Sequence, residues 1–279
     1  MIVAITGSRG FVGTKLVQSL RRLELEIIEI DLALGHDLTK WDTLSKVGYF
    51  DVLIHLAART FVPESFVHPA SFYETNVTGS LHALELCRKY ESKIIFTSSY
   101  VYGSPKYIPI NELHPLNATN PYAQSKILGE ELCHAYHRDF DIPAIIFRPF
   151  NAYGKGQNDN FLIPSIIKQA YSGKVMLKDP RPRRDFIFID DLVDAYTKAI
   201  NADFSKVEIF NLGSGISTSI QELAQLITEN MRMDFSVVFS NEQRKNEILE
   251  TRADISKSRK LLKWNPGISM EKGISMILR

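Results

Sequence analysis

Cysteine is nearly missing from this chain. Only Cys87 and Cys133 occur in 279 residues. Both fall in helical patterns and read as small apolar residues in a reducing compartment, so neither a disulfide framework nor a cysteine-built metal site is expected. No apolar run reaches the ~18 residues that a membrane-spanning helix needs. The amino terminus enters a strand pattern directly, without a basic segment or a cleavage site. No secretion signal is read there, and a cytoplasmic location is expected. An excess of one charge is lacking too. The 33 Lys and Arg stand against 32 Asp and Glu, for a formal net charge of +1. That balance gives no global attraction to nucleic acid or to a membrane surface. No internal repeat, low-complexity tract or flexible linker is found.

What remains is an ordinary globular composition, 44% hydrophobic and 23% charged. It suffices for one large domain or two closely joined ones. Residues 2–6 form a continuous apolar run, as expected of a strand buried on both faces. Gly7, Gly10 and Gly13 follow, then a helical stretch to about residue 22, then a strand at 26–30 that ends on Asp31. Glycines so spaced let backbone N–H groups and a helix N-terminus approach a pyrophosphate. An acid about 20 residues on suits a ribose hydroxyl. A carboxylate there repels a 2′-phosphate, and residues 32–34 offer no Arg or Lys to welcome one. NAD is therefore expected, and NADP less so.

The alternation continues with strands at 51–57, 93–97 and 143–147. Helical patterns lie between them, from Pro69 through Asn76 to about 90 and from Tyr122 to about 140. Ligands of open parallel sheets bind outside the carboxyl ends of the strands. The glycine turn, Ala57, Ala58 and Ser98 are thus expected on one rim. Tyr122 and Lys126 stand four residues apart, so in a helix they share a face. A free phenol, with a pKa of ~10, is a poor base at neutral pH, and a cation beside it favours the phenolate. The pair would make a proton shuttle for an alcohol hydroxyl, with Ser98 hydrogen-bonded to the same oxygen.

After Gly154 the texture changes. A loop at 156–160 precedes a helix at 162–171, a short strand at 175–178 and a basic loop at 179–184. A strand at 185–189, a helix from Asp190 to about 202 and a sixth main-sheet strand at 207–212 are expected next. A helix at 219–231, a strand at 235–239 and a helical stretch from 254 complete the chain. The expected fold is α/β: a Rossmann doubly wound parallel sheet with a small C-terminal α/β substrate lobe. Residues 1–153 would form the NAD-binding domain, with 185–212 returning to its sheet. Residues 154–184 and 213–279 would form the lobe.

Taken in order, the motifs resemble one family over nearly the whole chain. They are TGSRGFVG at 6–13, Asp31, HLAA at 55–58, Asn76 in NVTGS, SSYVYG from Ser98 and YAQSK at 122–126. RPFNAYG at 148–154, RRDFIFIDDL at 183–192, NLGSG at 211–215 and RADISKSRKLLKWNP at 252–266 complete the set. The family is the extended short-chain dehydrogenase/reductases, the epimerase/dehydratase group that acts on nucleotide sugars and includes UDP-glucose 4-epimerases. The resemblance implies that Tyr122 is the acid/base and that Lys126 binds the nicotinamide ribose. Ser98, four residues before Tyr102, would hydrogen-bond the reacting sugar oxygen, with Ser99 also at the substrate. Gly7, Gly10, Phe11, Val12 and Gly13 would line the pyrophosphate. Asp37 and Leu38 would flank adenine, while Leu56, Ala57 and Ala58 would border the cofactor. Asn76 would support the sheet rim beside it. Asn151, Arg184 and Arg244 would contact the sugar diphosphate, which suits the charge and fork of a guanidinium. Residues 244–247 read RKNE, where the family usually shows Arg-Pro-Gly-Asp. The resemblance also implies a homodimer through the Asn76 and Tyr122 helices, although their apolar residues could equally serve the core. Arg181 and Arg183 read as a solvated loop, His134 and His137 as surface residues, and His55 as a packed strand end. No metal is expected.

Three reactions fit such a site. NAD can oxidise a sugar hydroxyl at carbon 4 and return the hydride to the other face, which is epimerisation. A 4-keto-6-deoxyhexose linked to a nucleotide can instead be reduced at the expense of NADH or NADPH. The third, 4,6-dehydration, is disfavoured, because family dehydratases place Asp-Glu after the Ser or Thr and this chain has Ser99-Tyr100. Epimerisation is ranked first by the NAD preference. The short span from Gly154 to Arg184, and Thr60 where some epimerases place Lys, lean the other way. A non-catalytic NAD-sensing scaffold is the rival from another class, and the intact Ser98, Tyr122 and Lys126 argue against it.

Overall fold

A computed structural model of the chain describes residues 1–231, 233–243 and 247–279. Its strands are β1 (Ile2–Thr6), β2 (Glu26–Ile30), β3 (Val52–His55), β4 (Lys93–Thr97), β5 (Ala144–Pro149), β6 (Asn151–Tyr153), β7 (Lys174–Leu177), β8 (Arg183–Phe188), β9 (Glu208–Leu212), β10 (Ser217–Ser219) and β11 (Ser236–Phe239). The helices are α1 (Phe11–Arg22), α2 (Trp41–Leu44), α3 (Val62–Val67), α4 (Pro69–Tyr73), α5 (Gly79–Tyr90), α6 (Pro121–Phe140), α7 (Leu162–Tyr171), α8 (Ile189–Ile200), α9 (Ile220–Met231), α10 (Ser256–Leu261) and α11 (Met270–Leu278).

Six strands form the main sheet in the order β2-β1-β3-β4-β5-β9, and every pair is parallel. Side chains of a strand alternate between faces, and the core divides accordingly. Val3, Ile5, Ile54, Ile95 and Phe147 join one cluster with Leu16 and Leu20 of α1 and Leu192 of α8. Ala4, Leu53, Ile94, Phe96 and Ile146 join the other with Leu84 and Leu86 of α5 and Cys133 of α6. Burial on both faces explains the unbroken apolar runs. From β1 the chain goes first to β2 on one side and then to β3 on the other. A crevice therefore opens between the carboxyl ends of β1 and β3, where such sheets take their ligands.

Several elements differ from expectation. Residues 185–212 do not all return to the main sheet; only β9 does, beside β5. The chain turns at Phe150 directly into β6, and β8 pairs in parallel with β6 and antiparallel with β10. That three-stranded sheet, with a two-stranded sheet of β7 and β11, builds the second region. The helix expected before residue 90 is broken: Glu74–Thr78 is a π-helical turn between α4 and α5, a distortion frequent at functional sites. The stretch from 254 splits into α10 and α11. Between them Trp264 is fully buried and its indole N–H donates to the Asp191 carbonyl at 2.9 Å. Among the described residues, no helix is long and apolar enough to cross a membrane.

Candidate active site

A cleft of about 1300 Å³ runs along the sheet's carboxyl rim and into the second region. Its first wall is the glycine turn. Gly7 has φ +69°, and its N–H bonds the Ile30 carbonyl at 2.8 Å. A Cβ on Gly7 would stand 2.8 Å from Ala57 N, and one on Gly13 would stand 2.0 Å from Gly7 O. Only glycine lets these backbones close up. Gly10 caps α1 without a side-chain hydrogen bond, so the first turn of α1 presents main-chain donors. Gly7, Gly10, Phe11, Val12, Gly13, Asp31, Asp37, Leu38, Leu56, Ala57 and Ala58 all line the cleft. This bare glycine cradle followed by an acid fits a dinucleotide. Asp31 Oδ2 accepts from Arg9 N–H at 3.0 Å and Oδ1 from Ala33 N–H at 2.9 Å, which fixes the carboxylate at the cleft edge. Asp37 accepts from both the N–H and the hydroxyl of Thr39, which holds its carboxyl below the usual range.

Helix α6 carries the chemistry. Asn120 caps it by accepting from Ala123 N–H at 2.8 Å, and Pro121 opens it, as a helix N-terminus favours. Tyr122, Lys126 and Glu130 succeed one another at one-turn intervals. Gly129 allows α6 to lie close on β4, since a Cβ there would reach 2.4 Å from Phe96 Cζ. Lys126 is buried, with its ammonium 4.9 Å from the Phe96 ring centroid. Burial pulls its pKa down to about 8, against the attraction of Glu130. Tyr122 lines the cleft. Burial pushes its phenol up, and the nearby Ser99 hydroxyl opposes that. Desolvation thus works against the expected acidic phenol, and Lys126 is itself shifted down.

Ser98 and Ser99 both line the cleft. Ser98 is buried, and its hydroxyl donates to Glu130 Oε1 at 2.5 Å. The Ser99 hydroxyl is near enough to Tyr122 to draw its phenol down. Glu130 also takes Arg148 Nε at 2.9 Å and Nη2 at 2.5 Å, with both side chains 3% exposed. Arg148 continues to Tyr102 OH at 3.0 Å, and Tyr102 donates to Asn211 Oδ1 at 2.6 Å. This buried chain of contacts fixes the turn that presents Ser99.

Asn76 does not line the cleft. Its amide clasps Arg59, accepting from the N–H at 2.8 Å and donating to the carbonyl at 3.0 Å, and it also donates to Ser125 Oγ at 2.8 Å. It ties the loop after β3 to α6 and acts as a brace. His55 is fully buried between Thr6 and Ser80 hydroxyls at 2.8 and 3.2 Å, and burial lowers its pKa to about 3. It is a packed residue. His134 is exposed and His137 partly so, and no cluster fit to hold a metal occurs among the described residues.

At the other end Asn151, Arg184, Phe61 and Phe161 line the cleft. The two phenyl rings meet edge to face at 6.1 Å. Asn151 donates to the Asp185 carbonyl at 2.9 Å. Arg184 donates to the Ile248 carbonyl at 2.6 Å and pairs with Glu247 at 2.5 Å. Arg244 lies outside the described residues. Arg181 and Arg183 pair with Asp179 and Glu222 instead. Asp185 is a hub: Oδ1 accepts from the N–H and hydroxyl of Ser214 at 2.6 and 2.7 Å, and Oδ2 from Gly215 and Ala253 N–H, both at 3.0 Å. Burial still raises its pKa to about 6. The NLGSG motif is thereby explained as a loop wrapped on a carboxylate.

The model of the NAD dependent epimerase/dehydratase family matches residues 3–213. The chain belongs to this family. Its members are enzymes acting on nucleotide sugars. The chain is 31% identical to a putative UDP-glucose 4-epimerase of Methanocaldococcus jannaschii, over 99% of this chain and 97% of the relative. It is 28% identical to a GDP-6-deoxy-D-mannose reductase of Pseudomonas aeruginosa, over 98% and 95%. The structure of UDP-glucose 4-epimerase from Thermotoga maritima with UDP-glucose superposes with a TM-score of 0.93 at 25% identity, covering 100% and 97% of the two chains.

Proposed function

We propose that the protein is an NAD-dependent nucleotide-sugar epimerase that inverts carbon 4. The cleft that brings Ser98, Ser99 and Tyr122 together with the glycine cradle and Asp31 is the observation that carries this reading. Bound NAD would supply the hydride acceptor and later the donor. Gly7, Gly10, Phe11, Val12 and Gly13 hold the pyrophosphate, and Asp31 the adenosine ribose. Asp37 and Leu38 flank the base, and Leu56, Ala57, Ala58 and Lys126 border the nicotinamide end. Tyr122 takes the proton from the sugar hydroxyl and returns it, while Ser99 orients that oxygen. Proton transfer from a placed side chain is worth about 10²–10⁴-fold in rate. Asn151 and Arg184 meet the diphosphate, with Glu247 giving up the guanidinium to it. A homodimer through the outer faces of α5 and α6, where Leu81 and Leu128 are exposed, belongs to the same proposal; a solution mass of 31.7 kDa, one chain, would remove that part.

A second reading is reduction of a nucleotide-linked 4-keto-6-deoxyhexose. The short span from Gly154 to Arg184 and the 28% identity to a GDP-6-deoxy-D-mannose reductase support it. Incubation with UDP-, dTDP- and GDP-sugars and their 4-keto forms, with and without NADH, separates the two. Epimerisation yields the 4-epimer with no net NADH use. Stoichiometric loss of NADH with a keto sugar, and no epimer from any sugar, would overturn it in favour of the reductase.

A further inference from the structure

Arg9 lies inside the glycine turn, and its N–H holds the Asp31 carboxylate at 3.0 Å. The main chain of Arg9 therefore stands beside the carboxylate that would meet the adenosine ribose, within a side chain's reach of a ribose 2′-phosphate, a group that arginine recognises well. Yet its side chain turns to Glu29, with Nε 3.0 Å from Oε2. Arg21 of α1 joins the same carboxylate, Nη2 to Oε1, at 2.7 Å. The two guanidinium side chains are 53% and 59% exposed, while Glu29 is 10% exposed. Asp31 continues the strand in extended conformation, φ −155° and ψ 150°. Glu29 and Asp31 thus project to the same side of β2, as residues two apart in a strand do. Two carboxylates and two guanidiniums leave this corner without net charge.

The geometry points to Glu29 as the residue that reserves this protein for NAD, by holding Arg9 away from a 2′-phosphate and adding its own negative charge beside Asp31. The sequence seemed to offer no cation at this corner because only the residues after Asp31 were considered; the cation comes from the turn before it. The inference rests on the cofactor reading of the glycine turn and is independent of which sugar is converted. A bland alternative is that Glu29 only pins α1 and the turn to β2. That role would alter the melting temperature and leave the ratio of the two coenzyme affinities unmoved.

The test is direct binding of NADH and NADPH to the full chain, read by nicotinamide fluorescence, for wild type, Glu29→Gln and Glu29→Gln with Arg9→Ala. Glu29→Ala is a second removal should the amide disturb β2. Wild type is expected to bind NADH more tightly than NADPH. Glu29→Gln should tighten NADPH relative to NADH by about tenfold or more, as a freed charge-assisted hydrogen bond would. The double variant should lose that gain, and added salt should shrink it. An unchanged ratio in both Glu29 variants overturns the proposal, as does a gain that survives loss of Arg9. Failure of wild type to bind either coenzyme would instead overturn the cofactor reading itself.

Discussion

The two ends of the cleft are built by different means. The cofactor end is main chain: a glycine turn, a helix start and strand ends, all supplied by short contiguous stretches. Gly7 and Gly13 matter there because nothing larger fits. The substrate end is side chain: Asp185 gathers donors 29 to 68 residues further along the chain, Asp191 accepts from Gly267 and Ile268 N–H at 2.8 and 3.0 Å, and Arg184 is held by Glu247. One end depends on backbone fit and the other on buried polar contacts between distant segments. The first should tolerate loss of a catalytic side chain without unfolding, and the second should not tolerate loss of a hub.

Tyr122→Phe offers the largest effect. It removes one hydroxyl at the cleft and leaves the glycine cradle intact. Turnover should fall by about a hundredfold or more, while NADH binding, read by fluorescence, stays close to wild type. Loss of NADH binding and turnover together would mean that the phenol holds the fold or the coenzyme, and the contrast between the ends would fail.

Asp185→Ala sharpens the contrast from the other side. It leaves the Ser214, Gly215 and Ala253 N–H groups without their acceptor. Denaturant unfolding should show a loss of about 2–4 kcal/mol, with affinity for nucleotide sugar falling further than affinity for NADH. Equal losses of both ligands would show that the two ends unfold as one.

The same contrast explains what could be read in advance. The strand–turn–helix–strand unit and Asp31 were legible because each signal sits within about 30 residues and follows from local backbone needs. The order of motifs also placed Tyr122, Asn151 and Arg184 at one cleft. The membership of β8 in a second sheet was not legible, because pairing with β6 depends on where Phe150 turns the chain. Asn76 was read as supporting the sheet rim, but its partners Arg59 and Ser125 lie 17 and 49 residues away and could not be named from the sequence. The Glu130–Arg148 pair is 18 residues apart in sequence and buried, and no local pattern announces it. Ser98 was legible as a residue of the cleft rim, whereas its bond to Glu130, 32 residues away, was not.

A paired turnover measurement on Ser99→Ala and Ser98→Ala tests most directly which serine orients the sugar oxygen. With the sugar nucleotide that wild type converts, Ser99→Ala should lower kcat by roughly tenfold to a hundredfold, with its unfolding midpoint little changed. Ser98→Ala should keep kcat near wild type and lose about 1–2 kcal/mol of stability, because Glu130 loses a donor. The reverse pattern, with kcat falling in Ser98→Ala and unchanged in Ser99→Ala, would contradict the site as built here.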